Sequence, residues 1–370
     1  MRCAGSERPE ANVANEFVTN EEIVRAARRR LPQDAWDYLV GGSESETTLR
    51  RNRLAFDRIA FRPRTLIDVS TIDPSATVAG HNLRIPVFLA PMGSLQTFTP
   101  DGGAASTRAA AEFGTLHVVS SVTQPGLQPI AEAVDYPKVY QLYIRGDWSW
   151  VEEQIALIKS ARYTGFCLTV DTAVQSHRDR VNLTQLGRVV PINQRDPKPA
   201  ASMTWEALDR IKDAIGLPFM VKGIATAEDA AIAVEHGVDV VWVSNHGGRQ
   251  LDHGRGAMDT LPEIVAAVDG KAEVVLDGGI QRGTDVIKAV ALGAKAVAIG
   301  KLQGWGLAAN GQAGVVRVLE ILEEEIRITM GLLGITCMDE LTADHLCAAE
   351  PVTTPHEMSA WVNMPGGRIQ

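Results

Sequence analysis

The residues with the clearest chemical potential lie in one stretch, Ser244–Asp252, which reads Ser-Asn-His-Gly-Gly-Arg-Gln-Leu-Asp. It follows the apolar run Val240–Val243, which is typical of a strand buried on both faces. The imidazole of His246 can accept a proton near neutral pH, and the guanidinium of Arg249 can bind a carboxylate through two hydrogen bonds. At the end of one strand, these two side chains could act together on a small carboxylic acid. The alternative interpretation is a polar loop that only caps the strand.

A framework of strands is needed to position these residues, and the chain carries apolar runs separated mostly by alanine-rich segments of helical periodicity. This alternation, without hairpin signals, predicts an α/β fold, a parallel (β/α)8 TIM barrel. A doubly wound sheet would need a glycine-rich dinucleotide turn after its first strand, and Ala90-Pro91-Met92-Gly93 is not one. The predicted strands are Val87–Ala90, Leu116–Ser120, Val139–Tyr143, Phe166–Val170, Phe219–Val221, Val240–Val243, Val274–Leu276 and Ala296–Ile299.

The chain before the barrel predicts an N-terminal cap of three helices, Asn20–Leu31 with Asn20 as its N-cap, Pro32–Leu39 and Ser43–Arg58. A polar segment with three prolines, residues 174–202, is expected to form a mobile loop over the barrel mouth. A helix over Val315–Leu333 is expected to close the barrel. The predicted divisions are a disordered segment 1–15, the cap and entry segment 16–84, the barrel 85–335 with the loop 174–202, and an irregular tail 336–370.

Composition excludes several classes of partner. The formal charge of −9 argues against nucleic acid, because phosphate binding needs a basic surface. No apolar run reaches the roughly 18 residues of a transmembrane helix, so no membrane is expected as a partner.

The four cysteines show neither metal-type nor disulfide-type spacing, which fits a reducing, cytoplasmic setting. Cys167 lies in an apolar run and is expected to be a small buried hydrophobe.

The chemistry of such a barrel lies at the C-terminal ends of its strands, and here those ends are rich in ionisable residues. Asp171, Lys222 and Tyr143 each have an ordinary structural explanation, but their convergence on one rim predicts a ligand site. Gly278-Gly279 and Gly300 fall where barrels commonly bind phosphate. The strand-end residues are Pro91, Met92, Gly93, Ser120, Gln141, Tyr143, Thr169, Asp171, Arg178, Lys222, Ser244, His246, Arg249, Asp277, Gly278, Gly279, Gly300 and Lys301.

Together these motifs resemble the FMN-dependent L-2-hydroxy-acid oxidising family, which includes glycolate oxidase, lactate oxidase, lactate monooxygenase and mandelate dehydrogenase. The resemblance spans about Ala35 to Leu333. It implies that the protein binds FMN, oxidises an L-2-hydroxy acid to the 2-keto acid, and passes electrons to oxygen or another acceptor. It also implies a homotetramer or homo-octamer. The motifs are Ser244–Asp252, Leu276–Gly279 followed by Arg282–Asp285, Gln141–Tyr143, Thr169–Thr172 and Val221–Gly223.

The resemblance implies that His246 is the base, that Asp171 orients it and stabilises its protonated form, and that Lys222 lies beside flavin N1. The chemistry agrees, because moving two electrons from an α-carbon to flavin requires a base close to the substrate. A lysine would offset the negative charge that collects on the reduced ring. The choice between direct hydride transfer and a carbanion stays open.

The remaining implied roles concern binding. Arg178 and Arg249 match the pair that holds the substrate carboxylate, and Tyr38 and Tyr143 match tyrosines that hydrogen-bond the substrate. Val122 stands where glycolate oxidase has a bulky tryptophan, so we expect a larger pocket and a medium-sized aliphatic or aromatic substrate. The implied flavin contacts are Pro91, Met92, Gly93, Ser120, Gln141, Thr169, Lys222, Ser244, Asp277, Gly278, Gly279, Gln281, Arg282, Gly300 and Lys301.

Three positions depart from the family pattern. Relatives usually have arginines where Gln281 and Lys301 stand, so FMN is expected to bind, but less tightly, and Arg282 is not expected to compensate. Oxidases of the family tend to have alanine where Gly93 stands. Glycine is found in monooxygenase and mandelate dehydrogenase members, which favours a slow oxidase, a dehydrogenase with another acceptor, or a monooxygenase-like enzyme.

Three other functions compete with this hypothesis. An FMN-dependent isomerase of the isopentenyl-diphosphate type has no need for a histidine and two arginines around a carboxylate. An enzyme that oxidises a peptide-derived intermediate is suggested by the stretch Trp305–Gly311, but such relatives often lack the arginine that matches Arg249. A flavin-binding protein without catalysis would not need the complete set of reactive residues.

Overall fold

The cap of the barrel is formed by three N-terminal helices in a computed structural model that describes residues 17–184, 197–354 and 356–362. Thr19, and not Asn20 as predicted, caps the first helix, because its hydroxyl accepts the N–H of Glu22 while the Glu22 carboxylate accepts the N–H of Thr19. Asn20 is instead buried in the first turn. The cap elements are α1 (Asn20–Arg30), α2 (Gln33–Val40) and α3 (Thr47–Asp57), followed by the short strands β1 (Ile59–Phe61), β2 (Ala76–Val78) and β3 (His81–Leu83).

Eight parallel strands form a closed barrel, which confirms the predicted fold. Each strand pairs with the next along the chain, and Val297 of the last strand aligns with Val87 of the first, which closes the ring. The fifth strand continues past its predicted end at Val221, because a bulge at Lys222 carries the pairing on to Ile224. The strands are β4 (Val87–Leu89), β5 (His117–Ser120), β6 (Lys138–Leu142), β7 (Gly165–Thr169), β8 (Phe219–Ile224), β9 (Val240–Val243), β10 (Glu273–Asp277) and β11 (Ala296–Ile299).

Apolar side chains fill the interior of the barrel. Phe88 packs edge to face against Trp242, and Cys167 is fully buried in the same cluster, as predicted. Val78 and Leu83, from the β2–β3 hairpin, belong to this cluster. Because the hairpin and the packed interior close one end, the polar strand ends face the opposite mouth.

Helices surround the barrel, and the last of them is longer than predicted. It begins at Lys301 instead of Val315 and is interrupted at Asn310-Gly311, where the backbone leaves helical geometry. The glycines of its first half weaken helical periodicity, which explains the late predicted start. The helices are α4 (Gly102–Phe113), α5 (Leu127–Glu132), α6 (Trp148–Ser160), α7 (Asp179–Asn182), α8 (Lys198–Ala201), α9 (Trp205–Ile215), α10 (Ala227–Glu235), α11 (Ala257–Val268), α12 (Gly283–Ala291) and α13 (Lys301–Leu333).

Two predicted irregular regions contain regular structure. The loop predicted over 174–202 carries α7 and α8 at its two sides, while residues 185–196 and the N-terminal residues 1–16 lie outside the described residues. The tail includes a strand, β12 (Leu346–Ala348), that pairs antiparallel with β1. No helix within the described ranges is long and apolar enough to cross a membrane.

A buried ion pair fixes the cap to the barrel. The Arg53 guanidinium of α3 donates two hydrogen bonds to Asp285, at 2.6 and 2.8 Å, and both side chains are almost completely buried. Nη1 of Arg53 also donates to the carbonyl of Gly279 at 3.0 Å. Breaking a buried pair of this kind costs about 3–5 kcal/mol, because one charge is left without a partner. The pair therefore holds the cap directly against the strand ends.

Candidate active site

The open mouth of the barrel leads into a cavity of about 920 Å³ between the strand ends and the cap. This volume lies at the upper end of the roughly 300–1,000 Å³ found for ligand pockets, and it could hold a cofactor together with a small substrate. The predicted residues that line it are Tyr38, Pro91, Met92, Gly93, Val122, Tyr143, Arg178, Lys222, His246, Arg249, Asp277, Gly278, Gly279, Gln281, Gly300 and Lys301.

His246 follows β9 directly, and both nitrogens of its ring have neighbours. Nδ1 lies 3.0 Å from Oδ1 of Asp171, and Nε2 lies 3.5 Å from the Tyr143 hydroxyl. Burial lowers the pKa of His246 and outweighs the opposite effect of the Asp171 charge, so the imidazole is neutral near pH 7. Burial would raise the pKa of Asp171, but the charge of His246 and its hydrogen bond keep it below the ordinary value. With Nδ1–H donating to a carboxylate, Nε2 is free to accept a proton from a ligand.

The backbone around His246 is held in an uncommon conformation. His246 has a φ of 59°, and Gly247 and Gly248 follow with φ of 65° and 75°. A Cβ at Gly248 would lie only 2.6 Å from Cα of Leu49, so glycine is required where this loop meets the cap. The carbonyl of Gly248 also accepts the N–H of Ser43 at 2.9 Å. The cap therefore fixes the loop that presents the histidine.

A buried lysine provides a fixed positive charge at the floor of the cavity. Nζ of Lys222 lies 3.1 Å from Oδ2 of Asp277 and donates to the Ser244 hydroxyl at 2.8 Å. That hydroxyl donates to Oδ1 of Asp277 at 2.7 Å. Burial would lower the pKa of Lys222, but the charges of Asp277 and Asp171 raise it above its ordinary value. Lys222 is therefore a cation at every pH at which the protein would work.

Two partly buried arginines border the same cavity and form no ion pair with any carboxylate in the described part of the chain. Arg249 donates to the carbonyls of Tyr38 and Gly41 at 2.7 and 2.8 Å, and its guanidinium lies 5.0 Å from the centre of the Tyr38 ring. Arg178 donates to the Arg249 carbonyl at 3.0 Å and to Gln250 at 3.1 Å. Burial lowers the pKa of both, and for Arg178 the charge of Arg249 adds to the effect. Buried cations without a counter-charge favour an anionic ligand such as a carboxylate.

The floor beneath the cavity carries polar atoms that lack partners. Ser120 donates to Oε1 of Gln141 at 3.0 Å, while Nε2 of Gln141 and the hydroxyl of Thr169 are buried without a hydrogen-bond partner in the described structure. Unsatisfied buried donors are uncommon and point to a missing ligand. Thr169, at the end of β7, aligns with Lys222 of β8, which lines the cavity, and Gln141 lies near the end of the neighbouring strand β6.

A third region, the anion corner, is formed by Gly278, Gly279, Gln281, Gly300 and Lys301. The first turn of α13 begins here without a side-chain cap, so its N–H groups and its dipole favour an anion. Lys301 donates to the carbonyl of Val40 at 2.7 Å, and burial together with the charge of Arg249 lowers its pKa to about 7. Gln281 donates to the carbonyl of Glu357, from the tail, at 2.5 Å.

The structure does not bring Arg282 to the cavity wall. Its guanidinium forms an ion pair of 2.7 Å with Glu325 of α13 and lies 5.5 Å from the centre of the Trp361 ring. The predicted flavin contact at Arg282 is therefore not supported by the geometry, because the side chain is directed towards α13 and the tail.

Gly93 and Val122 pack closely together on another part of the cavity wall. A Cβ added to Gly93 would lie 2.7 Å from Cγ2 of Val122 and 3.6 Å from the hydroxyl of Tyr38. That hydroxyl donates to the carbonyl of Gly93 at 3.3 Å. The sizes of residues 93 and 122 are therefore coupled, because a side chain at position 93 requires Val122 to shift or to be smaller.

Several residues of the site were not found by sequence reasoning. Gln250 bridges Arg178 and the carbonyl of Asp171, and Asn52 and Asn245 exchange side-chain hydrogen bonds of 2.9 and 2.7 Å beneath the histidine loop. Gln250 and Asn245 lie within the motif around His246, so a local signal existed for them. Asn52 lies 193 residues from its partner, and Glu357 lies in the tail, so no local pattern identifies either.

Comparison with known proteins is consistent with this geometry. The family model described as FMN-dependent dehydrogenase matches residues 27–196 and 193–348. The chain is 39% identical over 356 residues to an L-lactate oxidase of Nostoc sp., covering 88% of this chain and 96% of that protein. It is 37% identical to glycolate oxidase 3 of Arabidopsis thaliana, covering 93% of this chain and 99% of that protein.

Solved structures of related proteins resemble this fold over most of the chain. A mandelate oxidase with (S)-2-phenylpropionate superimposes with a TM-score of 0.82 at 35% identity, covering 91% of this chain and 100% of that chain. A flavocytochrome b2 variant with pyruvate bound gives a TM-score of 0.85 at 30% identity, covering 90% of this chain and 87% of that one.

The cavity fits the cofactor that this family uses. The unpaired donors of Gln141 and Thr169 suit the polar edge of a flavin ring, Lys222 provides a cation beneath it, and the anion corner suits a phosphate. The two unpaired arginines then remain for a substrate carboxylate. The chain belongs to the FMN-dependent dehydrogenase family, and it is an FMN enzyme that oxidises 2-hydroxy acids to 2-keto acids.

Proposed function

We propose that this enzyme oxidises a medium-sized L-2-hydroxy acid with His246 as the base. The observation that carries the proposal is the position of Nε2 of His246 on a cavity that also holds two unpaired guanidiniums. Arg178 and Arg249 bind the carboxylate and fix one orientation of the substrate. The hydroxyls of Tyr143 and Tyr38 hydrogen-bond the substrate from neighbouring sides of the cavity.

In this proposal a proton passes from the substrate, from its hydroxyl or its α-carbon, to Nε2 of His246. Asp171 holds the ring through Nδ1 and stabilises the imidazolium that forms. FMN, when bound, would accept the two electrons and the second hydrogen that the substrate loses. Lys222, fixed by Asp277 and Ser244, offsets negative charge at the floor of the site. The phosphate is held in the anion corner by backbone N–H groups, Gln281 and Lys301.

The size of the substrate follows from the wall at Val122. This side chain lies beside Gly93 on the cavity wall, where the resemblance places a bulky tryptophan in glycolate oxidase. The relatives include a lactate oxidase and a mandelate oxidase as well as glycolate oxidases, so the choice of an aliphatic or aromatic 2-hydroxy acid larger than glycolate rests on residue 122. A peptide-derived substrate is the second candidate.

Anaerobic mixing of the purified enzyme with a panel of L-2-hydroxy acids tests this function. We expect lactate or mandelate to bleach the flavin absorbance with a larger second-order rate constant for flavin reduction than glycolate. The reason is that a larger substrate fills the space beside Val122. A preference for glycolate would contradict the assigned size. No bleaching by any acid would instead favour the peptide-derived substrate.

The Asp171→Asn variant tests the histidine. In the wild type, burial holds the pKa of His246 below its ordinary value of 6.5, so kcat/KM is retained below pH 6.5 and is lost only as the imidazole becomes protonated at lower pH. Because the carboxylate opposes this lowering and stabilises the imidazolium, Asp171→Asn should move the acid limb to lower pH and reduce flavin reduction roughly 10²–10³-fold.

Asp179→Asn is the matched control, because Asp179 is an exposed carboxylate on the same side of the barrel. Flavin content, measured by absorbance, should be the same in the wild type, in Asp171→Asn and in Asp179→Asn. An acid limb that does not move, or an equal loss of rate in the control, would contradict the role given to Asp171.

We propose that oxygen is a poor acceptor, because Gly93 stands where the resemblance associates alanine with oxidases. A Cβ there needs room that Val122 occupies. The double variant Gly93→Ala, Val122→Ala should therefore react with oxygen faster after reduction than Val122→Ala alone, as measured by stopped-flow oxidation. Rapid oxidation of the wild type with stoichiometric release of peroxide would overturn this proposal.

We also propose a cytoplasmic homo-oligomer, a tetramer or octamer. Leu66 is fully exposed, and Ile328 and Leu332 expose more than half of their surface on the last helix. Arg64, two residues before Leu66, donates its N–H to the carbonyl of Leu333, so these apolar groups lie in one region. Light scattering after size-exclusion chromatography should give four or eight times the mass of one chain; a single-chain mass would contradict it.

A further inference from the structure

The tail reaches the wall of the cavity through Glu357. Its segment 356–362 is held by Trp361, which is 1% exposed and packs against the guanidinium of Arg282. Ser359 donates to Oδ2 of Asp57, in the cap, at 2.7 Å. These contacts attach the segment to both the barrel and the cap, so its position is defined by specific interactions.

Glu357 extends from this segment into the anion corner. Its backbone carbonyl accepts the side-chain N–H of Gln281, and its carboxylate lies 3.4 Å from Nη2 of Arg180 and lines the same cavity as Lys301. Burial would raise the pKa of Glu357, but hydrogen bonding and the charges of His356, Lys301 and Arg180 keep it below the ordinary value. The side chain is 11% exposed, so the corner contains a nearly buried negative charge.

Little positive charge is left for a second anion near this carboxylate. Arg180 contacts both Glu357 and Glu46, at 3.4 and 2.6 Å, and the pKa of Lys301 is lowered to about 7, so Lys301 is only partly charged near neutral pH. A phosphate that enters the corner adds negative charge beside Glu357. Repulsion between like charges in a poorly solvated site is strong, and cations shared with a carboxylate bind a second anion less well.

We propose that Glu357 competes with the phosphate of FMN for Lys301, so that the segment 356–362 is a strap that lowers affinity for the phosphorylated flavin and is released when it binds. The proposal rests on the assignment of the anion corner to the phosphate. It gives Gln281 a defined role, because its side chain holds the strap by its backbone.

Titration of the apoprotein with FMN and with riboflavin, which lacks the phosphate, tests the proposal. Glu357→Gln should tighten FMN about tenfold and leave riboflavin unchanged, because the repulsion acts only on the phosphate. Glu350→Gln is the control, since it removes an exposed tail carboxylate outside the cavity. An unchanged or weaker FMN affinity in Glu357→Gln would overturn the proposal.

A second measurement follows the strap itself. Hydrogen–deuterium exchange of residues 356–362 should increase when FMN is added to the wild type and should not change with riboflavin. Lower exchange with FMN would show that the tail is part of the phosphate site and would overturn the proposal.

Lys301→Met separates this inference from the assignment on which it rests. A loss of FMN affinity with no loss of riboflavin affinity supports the anion corner. If Lys301→Met shows that loss but Glu357→Gln has no effect, only the strap is wrong. If Lys301→Met changes neither affinity, the corner is not the phosphate site and both fail.

Discussion

The site depends on the cancellation of buried charges at one end of the barrel. Lys222 lies between Asp277 and Asp171, and Asp171 in turn holds His246. Removing charges from water costs several kcal/mol per ion, so Lys222, Asp277 and Asp171 can remain buried and ionised because they lie together, beside an imidazole that is neutral near pH 7. Each is carried by a different strand end, and therefore the closed barrel is what makes the network possible. The cation is fixed while the imidazole can change its charge, which is the combination that base catalysis beside a flavin requires.

The cap belongs to the site as much as the barrel does. Carbonyls at the end of α2 hold Arg249, and Arg53 of α3 pairs with Asp285 next to Gly279. Ser43 and Leu49 contact the loop after His246. A cap that moved away would release Arg249, the histidine loop and the glycine turn together. Access to the cavity and the geometry of its reactive groups are consequently linked through the same contacts.

The fold and most of the site could be predicted because both follow from periodicity. Buried strands are recognised as apolar runs in the sequence. The polar residues that follow parallel strands meet at one rim of the barrel, independently of loop conformation. The positions of His246, Lys222 and Asp277 in the sequence therefore predict that they share one site. Asn52 and Glu357 could not be found in this way, since their partners lie far along the chain. For Arg282 the sequence motif and the structure disagree. The motif predicts a flavin contact, but the side chain forms an ion pair with Glu325 and packs against Trp361.

Electrostatics distinguish the two ends of the cavity. At the substrate end, Arg178 and Arg249 are buried among neutral carbonyls, so an incoming carboxylate meets positive charge that no anion has neutralised. At the anion corner, Arg180 already contacts two glutamates and Lys301 has a pKa of about 7, so side-chain charge contributes much less there. In the proposed site, backbone N–H groups of the α13 terminus and the glycine turn would therefore share phosphate recognition with Lys301. Such dipoles act only at short range, whereas the unpaired arginines attract an anion from a distance. A small carboxylate is therefore directed to the histidine end of the cavity and not to the corner.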